Sequence, residues 1–505
     1  MSGADGAADS SRWLVLAITA SGLLLICIDM TVLYVALPAL TRALHAGNSA
    51  RLWILNAYPI VVAGLLPGLG ALGDRHGHRL LFCTGLAVFG AASLSAALAH
   101  SALVLIAARA ALGVGAAMMM PATLAIIRAT FTDPRERSFA LGLWSGVASA
   151  GMAAGPLLAG LLLTRFQWGA VFLINVPVVG LALLATWWWV PRRVAPGGPR
   201  WDATGSLQLL LVLTALMYAI KEPARQDCSL LRLGAALLLA GAGVALYLRG
   251  QRRRAQPLLD FTLFRRPLFA GAFAAACLGT AGAVGLELVM SQYLQLVEQR
   301  APLAAALVLL PLSVAGLVAA PLAGRLLQRR APRAAAGGGL LLAALCTAGL
   351  ALLPPAVPLF TALRLLLLAG TGVGIAITVT FASSTIMNAA PPERGGMAAS
   401  IEEVGFEFGG ALGVALFGSV MTLAYSGHLL AFDFIGTMPG VERARDSLDE
   451  LLRVAATLPA DTGQALRAAG VAAFTAALRA VLLGVALLWL ATGVAIGASR
   501  RKQPA

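Results

Sequence analysis

Acidic side chains in the middle of apolar runs can hold either a proton or an organic cation, and this chain carries several. Asp29, Glu287, Glu402, Glu403 and Glu407 all fall within stretches otherwise suited to hydrocarbon, together with Arg109 and Arg364. Each such group costs about 2.5–3.5 kcal/mol to insert, so each needs a reason to be there. The chemistry they permit is competition. A carboxylate in a low-dielectric cavity tends to keep its proton, and a lipophilic cation stabilises the ionised form and displaces it. The five histidines, His45, His76, His78, His100 and His428, fall in loops or at span ends. Proton handling inside the membrane is therefore left to carboxylates.

Helix geometry gives the depth of these groups. Asp29 precedes Pro38 by nine residues, or about 13 Å at the helical rise. Arg109 lies about 12 Å into a helix entering from the same face. The matching heights predict an Arg109–Asp29 approach. Glu287 and Glu407 come out near the midplane, about 16 Å and about 15 Å from their respective helix ends. Glu403 and Glu407, four residues apart, share one helix face. Glu402 is turned about 100° from Glu403 and lies nearer the inner end. Aromatic rings attract cations, which makes Tyr34, Trp53, Tyr58, Trp144, Phe172 and Tyr293 candidate cleft residues. Packing and interfacial anchoring are the other uses of such rings, and Trp187, Trp188 and Trp189 read as an interfacial belt.

The elements that must position these residues are membrane helices. Of 505 residues, 59% are hydrophobic and only 12% charged. A water-facing surface needs roughly 25% charged residues. Fourteen apolar runs are long enough to cross about 30 Å of hydrocarbon. The net charge of +15 does not point to nucleic acid. Lys and Arg gather in short loops, mostly on the side that holds both termini when an even number of spans is drawn, and they lack interleaved aromatics. This orientation predicts cytoplasmic termini. Four of the five cysteines, Cys27, Cys83, Cys277 and Cys346, lie inside the runs, which argues against a disulfide framework or metal cluster. The first run reads as a retained span, because no small-residue cleavage pattern follows a short core.

The chain repeats itself. Gly70 to Arg79 at the end of the second run is echoed by Pro321 to Arg330 after the tenth. Arg109 with Gly113 and Gly115 in the fourth is echoed by Arg364 with Gly370, Gly372 and Gly374 in the twelfth. The predicted organisation is an all-α membrane protein with an N-terminal six-helix bundle at 1–190 and two inserted helices with linkers at 191–267. A C-terminal six-helix bundle follows at 268–505 and carries an extracytoplasmic loop at 425–471. Two such halves around a midplane site make a rocking-bundle transporter. Within the loop, Ser447 and Glu450 form a capping-box pattern that predicts a short helix, either a lid or a surface insertion.

On these residues the chain resembles the major facilitator superfamily, in its fourteen-span drug:proton antiporter branch. Gly70, Leu72, Asp74, Arg75, Gly77 and Arg79 match the signature between helices 2 and 3, and Arg109 with Gly113 matches that of helix 4. Gly151, Gly155, Pro156 and Gly160 resemble the helix 5 antiporter signature, with Ala159 in place of a usual glycine. Asp29-Met-Thr-Val and Ala36-Leu-Pro38 resemble helix 1 of drug exporters. Ala398 to Glu403, with Glu407, resembles helix 13 of quaternary-ammonium exporters of the QacA and SmvA type. Some relatives place an acid in helix 10, but 303–327 has none, which leaves Glu287 as the nearest candidate.

The resemblance implies a proton-driven exporter of lipophilic cations in the bacterial cytoplasmic membrane. Such a protein uses no cofactor beyond the proton gradient and works as a monomer in lipid. Gly73, Asp74, Arg75, Gly77 and Arg79 would then be a conformational latch, and Gly151, Gly155, Pro156 and Gly160 a tight seal or ordinary helix packing. The alternatives are a proton-coupled transporter of an anionic drug or nutrient, a pump feeding an outer-membrane conduit, and a lipid-modifying enzyme. The anion reading has only Arg109 and Arg364 to offer. The enzyme reading lacks a metal or phosphate-binding motif.

Overall fold

A backbone crossing hydrocarbon finds no water for its N–H and C=O groups, so each crossing closes its own hydrogen bonds as helix. The computed structural model describes residues 2–191, 202–224, 228–252, 263–329, 332–353, 359–389, 395–430, 445 and 447–498, although some side chains within these helices lie outside the description. In chain order the helices are α1 (Ser2–Ala43), α2 (Asn48–His76), α3 (His78–Ala97), α4 (Ala102–Thr130), α5 (Pro134–Leu163), α6 (Ala170–Leu173) and α7 (Asn175–Trp189). Then come α8 (Ala203–Lys221), α9 (Leu230–Arg252), α10 (Pro267–Leu296), α11 (Pro302–Arg329), α12 (Pro332–Leu352), α13 (Leu359–Ala389) and α14 (Gly395–Leu430). The last two are α15 (Leu448–Thr457) and α16 (Ala460–Ala498). Thirteen stretches among the described residues are long and apolar enough to cross a membrane, with α6 and α7 joined as one, Ala170–Trp189. To these α5 adds the shorter apolar stretch Ala150–Leu163.

Two hydrophobic cores form. One is built from α1 to α7, and it also takes in Leu288, Ala306 and Val414 from later helices. The other is built mainly from α10 to α16. Helix α2 packs on α14, α5 on α11 and α1 on α10 and α11, and these contacts join the halves. The inserted helix α8 lies over the α2–α14 junction, with Leu213 and Met217 against Ile60, Ala63, Ala411 and Ala415. It is fixed more closely to α2. A Cβ on Gly64 would come within 2.9 Å of the Leu210 backbone, and the Lys221 amine sits 4.0 Å above the Trp53 ring.

Several cross-half ties gather at the face that carries α15. Pro38 has no N–H to give the carbonyl four residues earlier, so that of Tyr34 lacks its helical donor. Ser291 of α10 donates to it at 3.1 Å, and Gln295 donates to the Val35 carbonyl at 3.2 Å. Arg51 of α2, though buried, donates to Gln292 at 2.8 Å. Helix α15 lies over these contacts. Ser447 caps it by accepting from the Glu450 N–H, and it buries Leu448 and Leu451. Its Asp449 lies 3.9 Å from Arg42 of the first half. The stretch expected as a loop over 425–471 is therefore partly helical: α14 runs on to Leu430 and α16 starts at Ala460. Residues 431–444 and 446 lie outside the described residues.

Candidate functional site

The deepest charged pair comes from α1 and α4. Asp29 is fully buried, and Arg109, 2% exposed, donates from Nη1 to its Oδ2. Arg109 also donates from Nε to the Ile54 carbonyl at 3.3 Å, and its guanidinium lies 4.7 Å over the Tyr58 ring. The planar fork thus ties α1, α2 and α4 together, which a lysine ammonium would not do. The depth-matched approach of Asp29 and Arg109 is present.

A third partner was not legible in the sequence. Pro177 cannot donate to the Leu173 carbonyl, and the span breaks there into α6 and α7. The first residue after the break is Asn175, fully buried. Its Nδ2 donates to Asp29 Oδ1 at 3.4 Å and to Ser93 Oγ of α3 at 3.2 Å. Its own Oδ1 has no hydrogen-bond partner among the described residues. The one available signal was an amide followed by a proline within an apolar run.

Glu407 of α14 is buried, and its Oε2 has no hydrogen-bond partner among the described residues. It lies within electrostatic reach of Arg109 and Tyr58, and with Glu403 it also reaches Cys27 of α1. The common face of Glu403 and Glu407 is thus turned toward the first half. Glu402 points elsewhere and is hydrogen-bonded to Ser383 of α13. Glu287 of α10 lines a narrow crevice between the halves, together with Tyr34, Pro156 and Ser313. Among the described residues, no salt bridge is formed by Glu287, Glu403 or Glu407.

The candidate aromatics divide. Tyr34 and Tyr58 stand beside the acids. Trp53 faces Lys221 of α8. Trp144 belongs to a separate cluster with Trp13 and Phe131, Phe172 packs edge-on to Trp168, and Tyr293 lies in the second core. In these positions the three rings pack against neighbouring apolar side chains.

The helix 5 glycines sit where backbones meet. A Cβ on Gly151 would lie 2.9 Å from that of Cys27, and one on Gly155 would come 3.1 Å from the Ile28 carbonyl. Gly160 faces the Leu303 backbone of α11 in the other half, and Pro156 lines the Glu287 crevice. Between α2 and α3, Gly77 holds φ 96°, a conformation an L side chain resists, and its N–H donates to the Gly73 carbonyl at 2.8 Å. Arg79 reaches the Trp187 carbonyl and ring within its own half, whereas Arg75 is exposed. The Asp74 side chain lies outside the described residues.

The Major Facilitator Superfamily model matches residues 19–414. The chain is 37% identical to the methyl viologen resistance protein SmvA of Salmonella typhimurium (strain LT2), over 96% of this chain and 97% of that one. It is 34% identical to the multidrug efflux pump LfrA of Mycolicibacterium smegmatis, over 97% and 96%. In fold it is similar to a bacterial homolog of the human lysosomal transporter Spinster, solved in an inward-facing, unoccupied conformation. The TM-score is 0.66 at 18% identity, covering 98% of this chain and 99% of that one. With its helical halves, cross-half seam and matched signatures, the chain belongs to the major facilitator superfamily and is a membrane transporter, not an enzyme.

Proposed function

We propose that the protein exports lipophilic cations, such as quaternary ammonium biocides and cationic dyes, in exchange for protons. The observation that carries this reading is the set of interior acids Glu287, Glu403 and Glu407, which have no salt bridge among the described residues and flank a fully paired Asp29. An unpaired carboxylate in a low-dielectric site binds H+ or an organic cation and gains little from both. Arg109 stands between the two sets, hydrogen-bonded to Asp29 and within electrostatic reach of Glu407. When Asp29 takes a proton, the charge of Arg109 is left for Glu407 to balance, so a proton in one half alters the affinity for a cation in the other. Tyr34 and Tyr58 offer ring faces beside these acids. The names of SmvA and LfrA, as a methyl viologen resistance protein and a multidrug efflux pump, support the same substrate class.

The energy source in this reading is the proton gradient across the bacterial cytoplasmic membrane, with both termini cytoplasmic, α15 on the outer face and a single chain as the working unit. The test is dye movement in inverted vesicles under an imposed pH gradient. Wild type should accumulate a cationic dye with the gradient, Asp29→Asn should lose the gradient dependence, and Glu407→Gln should bind the dye about tenfold more weakly, the effect of about 1.4 kcal/mol. Dye movement indifferent to the gradient in wild type would overturn the exchange mechanism.

A further inference from the structure

We infer that Asn175 and Ser93 form with Asp29 a proton-carrying unit, in which an amide and a hydroxyl satisfy the acid in both its charged and its neutral form. This rests on the proton-exchange reading above and assigns the proton to a particular carboxyl group.

The geometry favours an amphoteric partner. Asn175 now gives its Nδ2 hydrogens to Asp29 Oδ1 and to Ser93 Oγ. This is the arrangement that an ionised carboxylate, an acceptor only, requires. The Asn175 carbonyl oxygen meanwhile lies fully buried with no hydrogen-bond partner among the described residues, which folded interiors seldom tolerate without a use for the group. If Asp29 Oδ1 gains a proton, it becomes a donor. A half-turn of the Asn175 amide then puts its oxygen where Nδ2 had been, to accept from the new O–H. Ser93 satisfies the change from its side, because a hydroxyl both donates and accepts and rotates freely. One O–H bond forms on Asp29 with a proton from one face and breaks to release it toward the other. Asn175 and Ser93 gain and lose nothing.

The titratable and charged groups facing Asp29 are few. Among the described residues these are Arg109 from α4 and Tyr58 from α2. Glu403 and Glu407 of α14 stand beyond them, within reach of Cys27 and, for Glu407, of Tyr58. Helices α3 and α7 bring Ser93 and Asn175, both neutral. Arg109 stabilises only the ionised acid, so the neutral form needs this second partner.

The test is the pH dependence of tetraphenylphosphonium binding to purified full-length protein. A hydrogen bond to a charged carboxylate is stronger than one to its neutral form. Removing the amide therefore weakens the ionised state more, and the midpoint in Asn175→Leu should move up by about 0.7 of a pH unit. Affinity on the alkaline plateau should not change, and Asn175→Gln should restore most of the shift. Ser93→Ala should shift in the same direction by about half as much; it deletes a single oxygen and carries the test if Asn175→Leu does not fold. A folded Asn175→Leu or Ser93→Ala with the wild-type midpoint, while Asp29→Asn has lost its pH dependence, overturns the unit alone. A wild-type midpoint in Asp29→Asn overturns both the unit and the assignment of the proton to Asp29.

Discussion

The two halves use the same pair of helices for an arginine–carboxylate contact but set it at different depths. In the first half Arg109 of α4 holds Asp29 of α1, both essentially without solvent. In the second half the corresponding helices are α13 and α10. Arg364 of α13 holds Glu298, which lies just past the end of α10, at 2.6 Å, and Arg300 adds a second contact at 2.7 Å. That cluster keeps about a tenth of its side-chain surface for Glu298 and Arg364, and a third for Arg300. With the pair at the rim, Glu287, deeper in α10, has no arginine partner among the described residues. One half therefore neutralises its deep acid, whereas the other carries deep acids with no salt bridge among the described residues.

Breaking the comparison should cost most at the deep pair. Arg109→Met leaves Asp29 buried and unmatched and removes the tie to the Ile54 carbonyl. A loss of about 3–5 kcal/mol is expected, visible as poor folding or a sharply lower unfolding temperature in detergent. At the rim, Arg364→Met removes one of two arginines from a partly wetted Glu298. The expected loss is about 1–2 kcal/mol in the same measurement, with the depth of Glu287 unaltered. If the two variants were equally destabilised, depth would not be what separates the halves.

The smallest effect concerns Asp449 on α15, outside the membrane-spanning helices. Burial raises its carboxyl above the ordinary aspartate value, against the opposing pull of Arg51, Arg42 and Arg453. A raised group binds its proton more firmly when docked than when free. Docking of α15 is therefore favoured most below the ordinary aspartate value and loses that contribution as pH rises through the raised one. The protection of α15 amides from hydrogen exchange, taken relative to their intrinsic rate at each pH, should fall over that interval in wild type and stay level in Asp449→Asn.

The fold was legible because lipid leaves the chain few choices. Run length fixed where the helices lie, and the repeated arginine–glycine patterns paired α4 with α13. The meeting of Asp29 and Arg109 was legible for a similar reason, since a constant rise per residue turns sequence position into depth. Rotation about the helix axis was not legible in an almost wholly apolar segment, because no polar face marks the inside. That is why the packing partners of Trp144, Phe172 and Tyr293 could not be read from their positions in the runs. Asn175 was missed because a neutral amide carries no insertion penalty large enough to stand out. The break just before it comes from a proline that hydropathy reads as ordinary.

Pro38 puts an adjustable catch in the wall of the transporter. The missing amide hydrogen leaves one α1 carbonyl facing the opposite half, and Ser291 fastens onto it. An alanine at position 38 would return that carbonyl to its own helix, and the catch would slacken while every cavity-lining side chain stayed the same. The strength of this cross-half tie can therefore change without altering any charged or polar side chain.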